Sequence, residues 1–290
     1  GWVTSLVQKA EASMRRINDF MEAKPAIQAP EKMPVGAPPL QPVGLAFDNV
    51  SYTYQDTKIE AVKNLSFELK PGKIVAVTGR TGSGKSTVAQ LAMRIFDPLK
   101  GQILFDGLPL KNWPLDDFRG ETGYVPQDVF LFSDTIQQNI AFGLPEQDSV
   151  MNDVQIAAEE AHVAHNIEGF EQKYSTLLGE RGVNLSGGQK QRISIARALI
   201  RRPKLLILDD CLSAVDTETE EAILQSIRSQ GNETAVLMVS HRISSIRGAD
   251  HVLVLDHGEL VEEGTPDELT RAGGAYARMV EQQENSKKTP

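Results

Sequence analysis

The spacing of apolar and polar positions changes several times along this 290-residue chain. From Trp2 onward, Leu6, Val7, Ala10, Met14, Ile17 and Met21 recur every three or four residues, with Arg15, Arg16, Asn18 and Asp19 on the remaining face. That period predicts an amphipathic helix over 1–24, ended by Pro25. Prolines 25, 30, 34, 38, 39 and 42, set among small residues, predict a semi-rigid extended linker over 25–42. Alternation in "GLAFDNVSYTYQ" and "AVKNLSFELKPG" then predicts two strands. "KIVAVTGR" is a short β-branched strand running into a glycine loop, and "KSTVAQLAMRIF" continues it as a helix. "GQILFDGLPL" reads as a hairpin turning at Asp106 and Gly107. A mostly helical block over about 128–198 precedes the apolar strands "KLLILDD", "TAVLMVSH" and "HVLVLDHGEL". Strands alternating with helices predict an α/β domain over 43–283, its sheet largely parallel and covered on both faces, with the helical block inserted into it. A polar tail is expected over 284–290.

Composition narrows the function classes. A formal charge of −9 and a pI near 5.2 argue against a nucleic-acid partner held by phosphate neutralisation. One cysteine, Cys211, excludes an internal disulfide and reads as a small buried residue. Uninterrupted apolar runs reach only about five residues, as in Ala235–Val239, too short for a membrane span. The chain begins at Gly1 and is expected to be a piece of a longer protein. Its first helix and linker are then either a leftover of expression or a connection to an upstream domain, and the regular helical pattern favours the connection.

The chemistry concentrates in a few stretches. "GRTGSGKST" satisfies G-x-x-x-x-G-K-[ST] over 79–86, between a predicted strand and a predicted helix. The backbone of Gly79, Thr81, Gly82, Ser83 and Gly84 curls its N–H groups around a phosphate, and Lys85 brings positive charge. The Ser86 hydroxyl suits Mg²⁺, and Thr87 follows at the helix start. "LLILDD" is a buried strand ending in Asp209 and Asp210, at the sheet edge where open α/β sheets bind ligands. Asp209 suits a phosphate-bound Mg²⁺. A second loop of phosphate-binding type, "NLSGGQKQR", offers Ser186, Gly187, Gly188 and Gln189 at a helix start but has no lysine in the cradle. His162 and His165 with Glu159 have metal-like spacing, but an exposed helix face is the simpler reading.

Taken together, these stretches resemble the nucleotide-binding domain of exporter-type ABC transporters over about 43–283, with "LSGGQ" as that family's signature. The resemblance implies a P-loop NTPase (RecA-like) core, an antiparallel β subdomain and an inserted α-helical signature subdomain. It implies ATP and Mg²⁺ as cofactors and a head-to-tail pair, in which Ser186, Gly187, Gly188 and Gln189 hold the ATP of the partner domain. Tyr54 matches the aromatic that stacks on adenine, and Gln127 in "YVPQD" the glutamine that senses metal and attacking water. Asp216 in "SAVD" matches the loop that crosses the interface, and His241 in "VSHR" the switch histidine. "GERG" at 179–182 resembles the short loop typical of exporters. The metal set implied is Ser86, Gln127 and Asp209; the catalytic set is Asp210, His241 and Gln127.

One position departs from the pattern. Competent members carry glutamate where this chain has Asp210. The shorter side chain withdraws the carboxylate by about 1 Å, a displacement that can cost about 100-fold in rate. The resemblance then points to the slower half of a heterodimeric exporter, partnered by a second nucleotide-binding domain on a different chain. Helix 1–24 becomes the cytoplasmic end of the last transmembrane helix, and the domain sits on the cytoplasmic face of the cell membrane. Two alternatives stay open: a homodimeric motor with ordinary turnover, and a non-transport nucleotide sensor. A DNA-repair or translation ATPase is disfavoured by the acidic charge and by the lack of a long coiled-coil insertion.

Overall fold

Strand residues of period two supply both faces of a sheet only if each face meets its own core, and that requirement organises this chain. The computed structural model describes residues 1–23, 25, 27–34, 44–144, 151–182, 184–229 and 233–288. Helix α1 (Trp2–Met21) has no buried side chain, so its apolar stripe faces solvent. Among the described residues no helix is long and apolar enough to cross a membrane.

Part of the proline-rich segment packs against the domain. Residues 27–34 form no helix or strand, yet Ile27, Ala29, Pro30 and Met33 are half-buried, and Met33 packs on the core of the β subdomain. The reason lies in Arg94, whose side chain is 1% exposed. A guanidinium that deep needs acceptors for its N–H groups. Asp97 (2.9 Å) and the carbonyls of Leu110 (2.7 Å), Trp113 (3.2 Å) and Gln28 (3.3 Å) supply them, and Gln28 belongs to the linker. Lys24, Ala26 and residues 35–43 of the linker lie outside the described residues.

Strands β1 (Leu45–Thr53) and β2 (Glu60–Leu69) open the domain; β3 (Ile74–Gly79) leads through the glycine loop into α2 (Lys85–Ala92). The hairpin β4 (Lys100–Phe105) and β5 (Leu108–Pro109) turns at Asp106 and Gly107, with φ of 47° and 80°. Two positive φ values make the turn type whose twist matches the flanking strands. Helix α3 (Leu115–Gly120) and strand β6 (Thr122–Val125) follow. The inserted helical block holds α4 (Ile136–Ala141), α5 (Met151–Glu160), α6 (Ala164–Glu168) and α7 (Gly187–Leu199). The chain returns through β7 (Leu205–Asp209), α8 (Thr217–Ser229), β8 (Ala235–Val239), α9 (Ile243–Arg247), β9 (His251–Asp256) and β10 (Glu259–Gly264). It closes with α10 (Pro266–Ala272) and α11 (Ala275–Lys288). Residues 284–288 of the expected polar tail continue α11. Glu284 pairs with Arg247 of α9, and that contact holds the extra turn against the domain.

Two sheets result. One is antiparallel, in the order β2-β1-β4-β5; the other runs β10-β9-β3-β8-β7-β6, parallel except at β9–β10. Ile74, Ala76, Leu206, Leu208, Val236 and Met238 face the helical block; Val75, Val77, Leu205, Ile207, Leu237 and Val239 face the antiparallel sheet. Parallel registry between β3, β8, β7 and β6 brings the C-terminal ends of all four to one edge. Every chemistry-bearing loop of the first cradle leaves from that edge.

Candidate active site

The glycine loop leaves β3, whose six residues are all buried, and enters α2 with no side-chain cap at Gly84. The first backbone N–H groups of α2 are therefore free to meet an anion. Gly84 has φ of 98°, and a Cβ there would lie 2.1 Å from the Ala61 carbonyl oxygen of β2, so only glycine fits. Two observations make the loop suitable for a phosphate. The Ser83 hydroxyl is buried without a hydrogen-bond partner among the described residues. Lys85 Nζ donates to the loop's own carbonyls at Gly79 (3.0 Å) and Arg80 (2.8 Å), which suspends its charge over the curl. Burial lowers the Lys85 pKa, opposed by Asp210 and Asp209.

The acidic pair sits beside this loop. Ser86 Oγ donates to Asp209 Oδ1 at 3.1 Å, giving the hydroxyl–carboxylate set that a hard divalent cation takes. Asp209 is 4% exposed, and burial raises its pKa although the Ser86 hydrogen bond works the other way. Tyr124 on β6 approaches Asp209 Oδ2 at 3.5 Å; burial and the Asp209 charge push its pKa up to about 12, so the phenol keeps its proton. Asp210 adopts φ of 49°, and both of its carboxylate oxygens lie at 2.8 and 2.9 Å from His241 Nδ1. His241 leaves the end of β8, exposed apart from that contact. Gln127, two residues beyond β6, is exposed at the same edge and lines an open cleft of about 530 Å³ with Phe130, Gly187 and Gln191.

The remaining expected residues are placed as follows. Thr81 and Gly82 are exposed at the loop's tip. Tyr54 is half-buried with its ring at right angles to Tyr52 and Phe96, and its hydroxyl meets Thr87 Oγ1 and Gln90 Oε1, each at 3.0 Å. The Thr87 hydroxyl is thus engaged by Tyr54. His162, from the discounted metal cluster, bonds Ser226 Oγ at 3.0 Å. Cys211 is buried, which raises its thiol pKa.

The second cradle lies on α7. Ser186 caps the helix: its hydroxyl accepts from Gln189 N at 3.3 Å while Gln189 Oε1 accepts from Ser186 N at 2.9 Å. Ser186 and Gly187 are exposed. A Cβ on Gly188 would stand 2.8 Å from the Ala214 carbonyl oxygen, so this glycine also serves close packing against the loop 212–216.

The profile of the ABC transporter family matches residues 62–213, more than half of the chain. The chain belongs to the ABC transporter family. The α/β fold implied by the resemblance agrees with that family. It is 40% identical over 284 residues to the probable multidrug resistance ABC transporter ATP-binding/permease protein YheI of Bacillus subtilis, covering 98% of this chain and 48% of that protein. It is 43% identical over 235 residues to an ATP-dependent lipid A-core flippase of Pasteurella multocida, covering 81% and 40%. The structure of a bacterial Atm1-family ABC exporter with ATP bound matches with a TM-score of 0.88 at 37% identity, covering 96% of this chain and 48% of that one. The chain spans less than half the length of each of these relatives.

Within this ABC domain, three side chains around the site escape a sequence reading. Gln283 of α11 accepts from Ile243 N at 2.9 Å and donates to the His241 carbonyl, fixing the backbone on both sides of Arg242. Gln191 of α7 accepts from Ala214 N at 3.0 Å and donates to Ser213 Oγ at 3.3 Å. Arg242 reaches the same 212–216 loop from the other side. The signal available in sequence was adjacency alone: Arg242 follows His241, and Gln191 lies one turn into the signature helix. Neither adjacency names a partner.

Proposed function

We propose that this chain is the ATPase motor of a membrane exporter that pairs head to tail with a second nucleotide-binding domain, and that its own site is the slower of the two. The observation that carries the pairing is the mismatch between the cradles. The loop at 79–86 has a lysine within it and two acids beside it, whereas the loop at 184–189 exposes Ser186 and Gly187, is capped on itself and carries no lysine within the loop. An exposed half-site is completed by another molecule's nucleotide. Asp216, exposed and hydrogen-bonded to Thr219 N at 2.9 Å, stands on the loop packed against Gly188 and so belongs to the same partner-facing surface.

In the first cradle the bare N–H groups of α2, the Ser83 hydroxyl and Lys85 bind the ATP phosphates, and Tyr54 stacks on the base. Mg²⁺ fits Ser86 and Asp209, with Gln127 at the sheet edge, and would neutralise developing charge on the transferred phosphoryl group. Asp210 is the group that orients the attacking water. Its geometry supports slow turnover: the side chain is short, and both oxygens are already drawn to His241 Nδ1. A base committed to its neighbour orients water poorly, and a misplacement of about 1 Å can cost about 100-fold.

The connection to the membrane rests on the N-terminal segment and on one surface patch. Helix α1 exposes Leu6, Val7, Met14, Ile17 and Met21, a stripe suited to continuing a membrane helix at the cytoplasmic face. Phe130, 51% exposed in the Gln127 cleft, and Phe142, 62% exposed and packed on Phe132, suit docking of the transmembrane domain of the same polypeptide. The cargo lies with that domain.

The deciding experiment compares ATP turnover of the chain with its Asp210→Glu variant, with ATP-dependent association followed by sedimentation. Equal association with turnover raised about 10- to 100-fold, or ~1.4–2.7 kcal/mol of barrier, identifies the slow half of a heterodimer. If the parent turns over as fast as the variant, Asp210 is a competent base and the homodimeric reading takes its place.

A further inference from the structure

The loop 212–216 follows Asp210 along the chain, and a side chain from the His241 side reaches it as well. Arg242 Nη1 lies 2.9 Å from the Leu212 carbonyl oxygen, 3.3 Å from that of Ser213 and 2.8 Å from that of Val215. Three backbone acceptors converging on one guanidinium nitrogen fix the loop 212–216 more tightly than a single hydrogen bond would. The guanidinium is itself held: Glu220 of α8, 1% exposed, places Oε2 at 3.8 Å. On its far side the same loop is gripped by Gln191 through Ala214 N and Ser213 Oγ, and Gly188 lies against the Ala214 carbonyl. The backbone of Arg242 is pinned to the site end as well. Its N–H donates to Ser240 Oγ at 3.0 Å, and the preceding residue is His241, whose ring holds Asp210.

We propose that Arg242 is a positioning residue that makes the His241 loop and the loop 212–216 move as one unit, so that the state of the chain's own ATP site sets the orientation of Asp216 and, through Gln191, of the Ser186 cradle offered to the partner. The partner-facing part of this inference rests on the head-to-tail reading given above; the link between the two loops does not. Arginine suits the task because its charge persists throughout the working pH range and its length carries one terminal nitrogen, Nη1, to the three carbonyls and to Glu220, whereas a lysine ammonium ends on a shorter side chain. Coupling of this kind needs an element that both sites bias, and the loop 212–216 is held from both.

The test is the pair substitution Arg242→Met with Glu220→Gln, which removes both charges together and leaves no buried carboxylate uncompensated. ATP affinity and the thermal midpoint are expected to stay near those of the parent, KM within about twofold, while kcat falls about tenfold. Amide hydrogen exchange over 212–219, measured with and without ATP, separates positioning from mere support. In the parent, ATP changes exchange in this segment; in the variant the segment no longer responds although ATP binds equally well. A variant that turns over and exchanges like the parent overturns the proposal. Should the pair fail to fold, Arg242→Lys keeps a cation facing Glu220, and a parental kcat and parental exchange response in that variant overturn it equally. A parent that remains monomeric with ATP defeats the head-to-tail reading instead, and the exchange response of the monomer still decides the link.

Discussion

The two cradles differ in what surrounds them more than in what they are made of. Both present glycine-rich backbone at a helix start. The loop at 79–86 is backed by a buried strand, carries a lysine held over its own carbonyls, and opens beside Asp209 and Asp210. The loop at 184–189 exposes Ser186 and Gly187, satisfies its own first N–H groups through the Ser186–Gln189 box, and leans through Gly188 on a neighbouring loop. An anion site is therefore not one thing: the first cradle gathers a lysine and two acids at one loop, and the second, on the reading proposed above, adds donors to a site whose charge is supplied elsewhere.

The most severe way to break this comparison is to disable one cradle at a time. Lys85→Ala is expected to weaken ATP binding by about 100-fold, since it removes the cation of a buried charge set. Gly188→Val is expected to leave binding within about twofold while abolishing turnover, because its side chain must displace the Ala214 backbone. On the Asp210→Glu background, equimolar mixing of the two disabled chains then gives a sharp result. A self-paired head-to-tail dimer regenerates one intact composite site in each mixed pair, restoring about a quarter of the turnover under random association. If each chain uses both of its own cradles on one nucleotide, mixing restores nothing.

A smaller effect sharpens the nucleotide end. Tyr54→Ala should reduce ATP affinity by about 1–3 kcal/mol if the ring stacks on the base. Tyr54→Phe loses the bonds to Thr87 and Gln90 but keeps the ring, and should cost about fivefold at most, of the order of one neutral hydrogen bond. Titration with a fluorescent nucleotide measures both, and equal losses in the two variants would assign the effect to the hydroxyl.

The smallest expected effect concerns stability. Asp209 is a buried carboxyl whose pKa is raised mainly by desolvation, so at neutral pH its charge opposes folding. Asp209→Asn should raise the nucleotide-free thermal midpoint by about 2–4 °C, equivalent to ~1 kcal/mol, as relief of strain at a functional site commonly does. The sign fixes the pH dependence. The native state takes up this proton before the unfolded chain does, so the advantage of the variant is present at neutral pH. It shrinks as pH falls through the raised value toward that of an ordinary aspartate. A midpoint difference that is flat or grows on acidification contradicts the assignment.

Sequence made some of this legible because certain chemistry is local. Glycines and a lysine at fixed offsets curl a loop wherever a strand feeds a helix, and the alternation of Val75 and Val77 with Ile74 and Ala76 announces a sheet buried on both faces. The hairpin at Asp106 and Gly107 was readable for the same reason. What escaped is long-range. Arg94 reads as an ordinary charged position of a helix, and nothing nearby in sequence says that its guanidinium closes on the Gln28 carbonyl 66 residues earlier. Arg242 and Gln191 meet on a loop that lies between them in sequence, and Gln283 reads only as the last residue of the predicted domain. These contacts exist because the parallel sheet gathers distant loops at one edge, and periodicity carries no record of which loops will meet there.

The docked linker has a practical corollary for anyone who would transplant this motor. A junction placed at the apparent start of the globular region, near 43, would discard Met33 from a hydrophobic surface and deprive the buried Arg94 of an acceptor. The natural cut lies upstream of Ile27, where α1 has ended. A chimera made there would carry its own strap, and pulling on that strap would load the end of the helix that begins at Lys85.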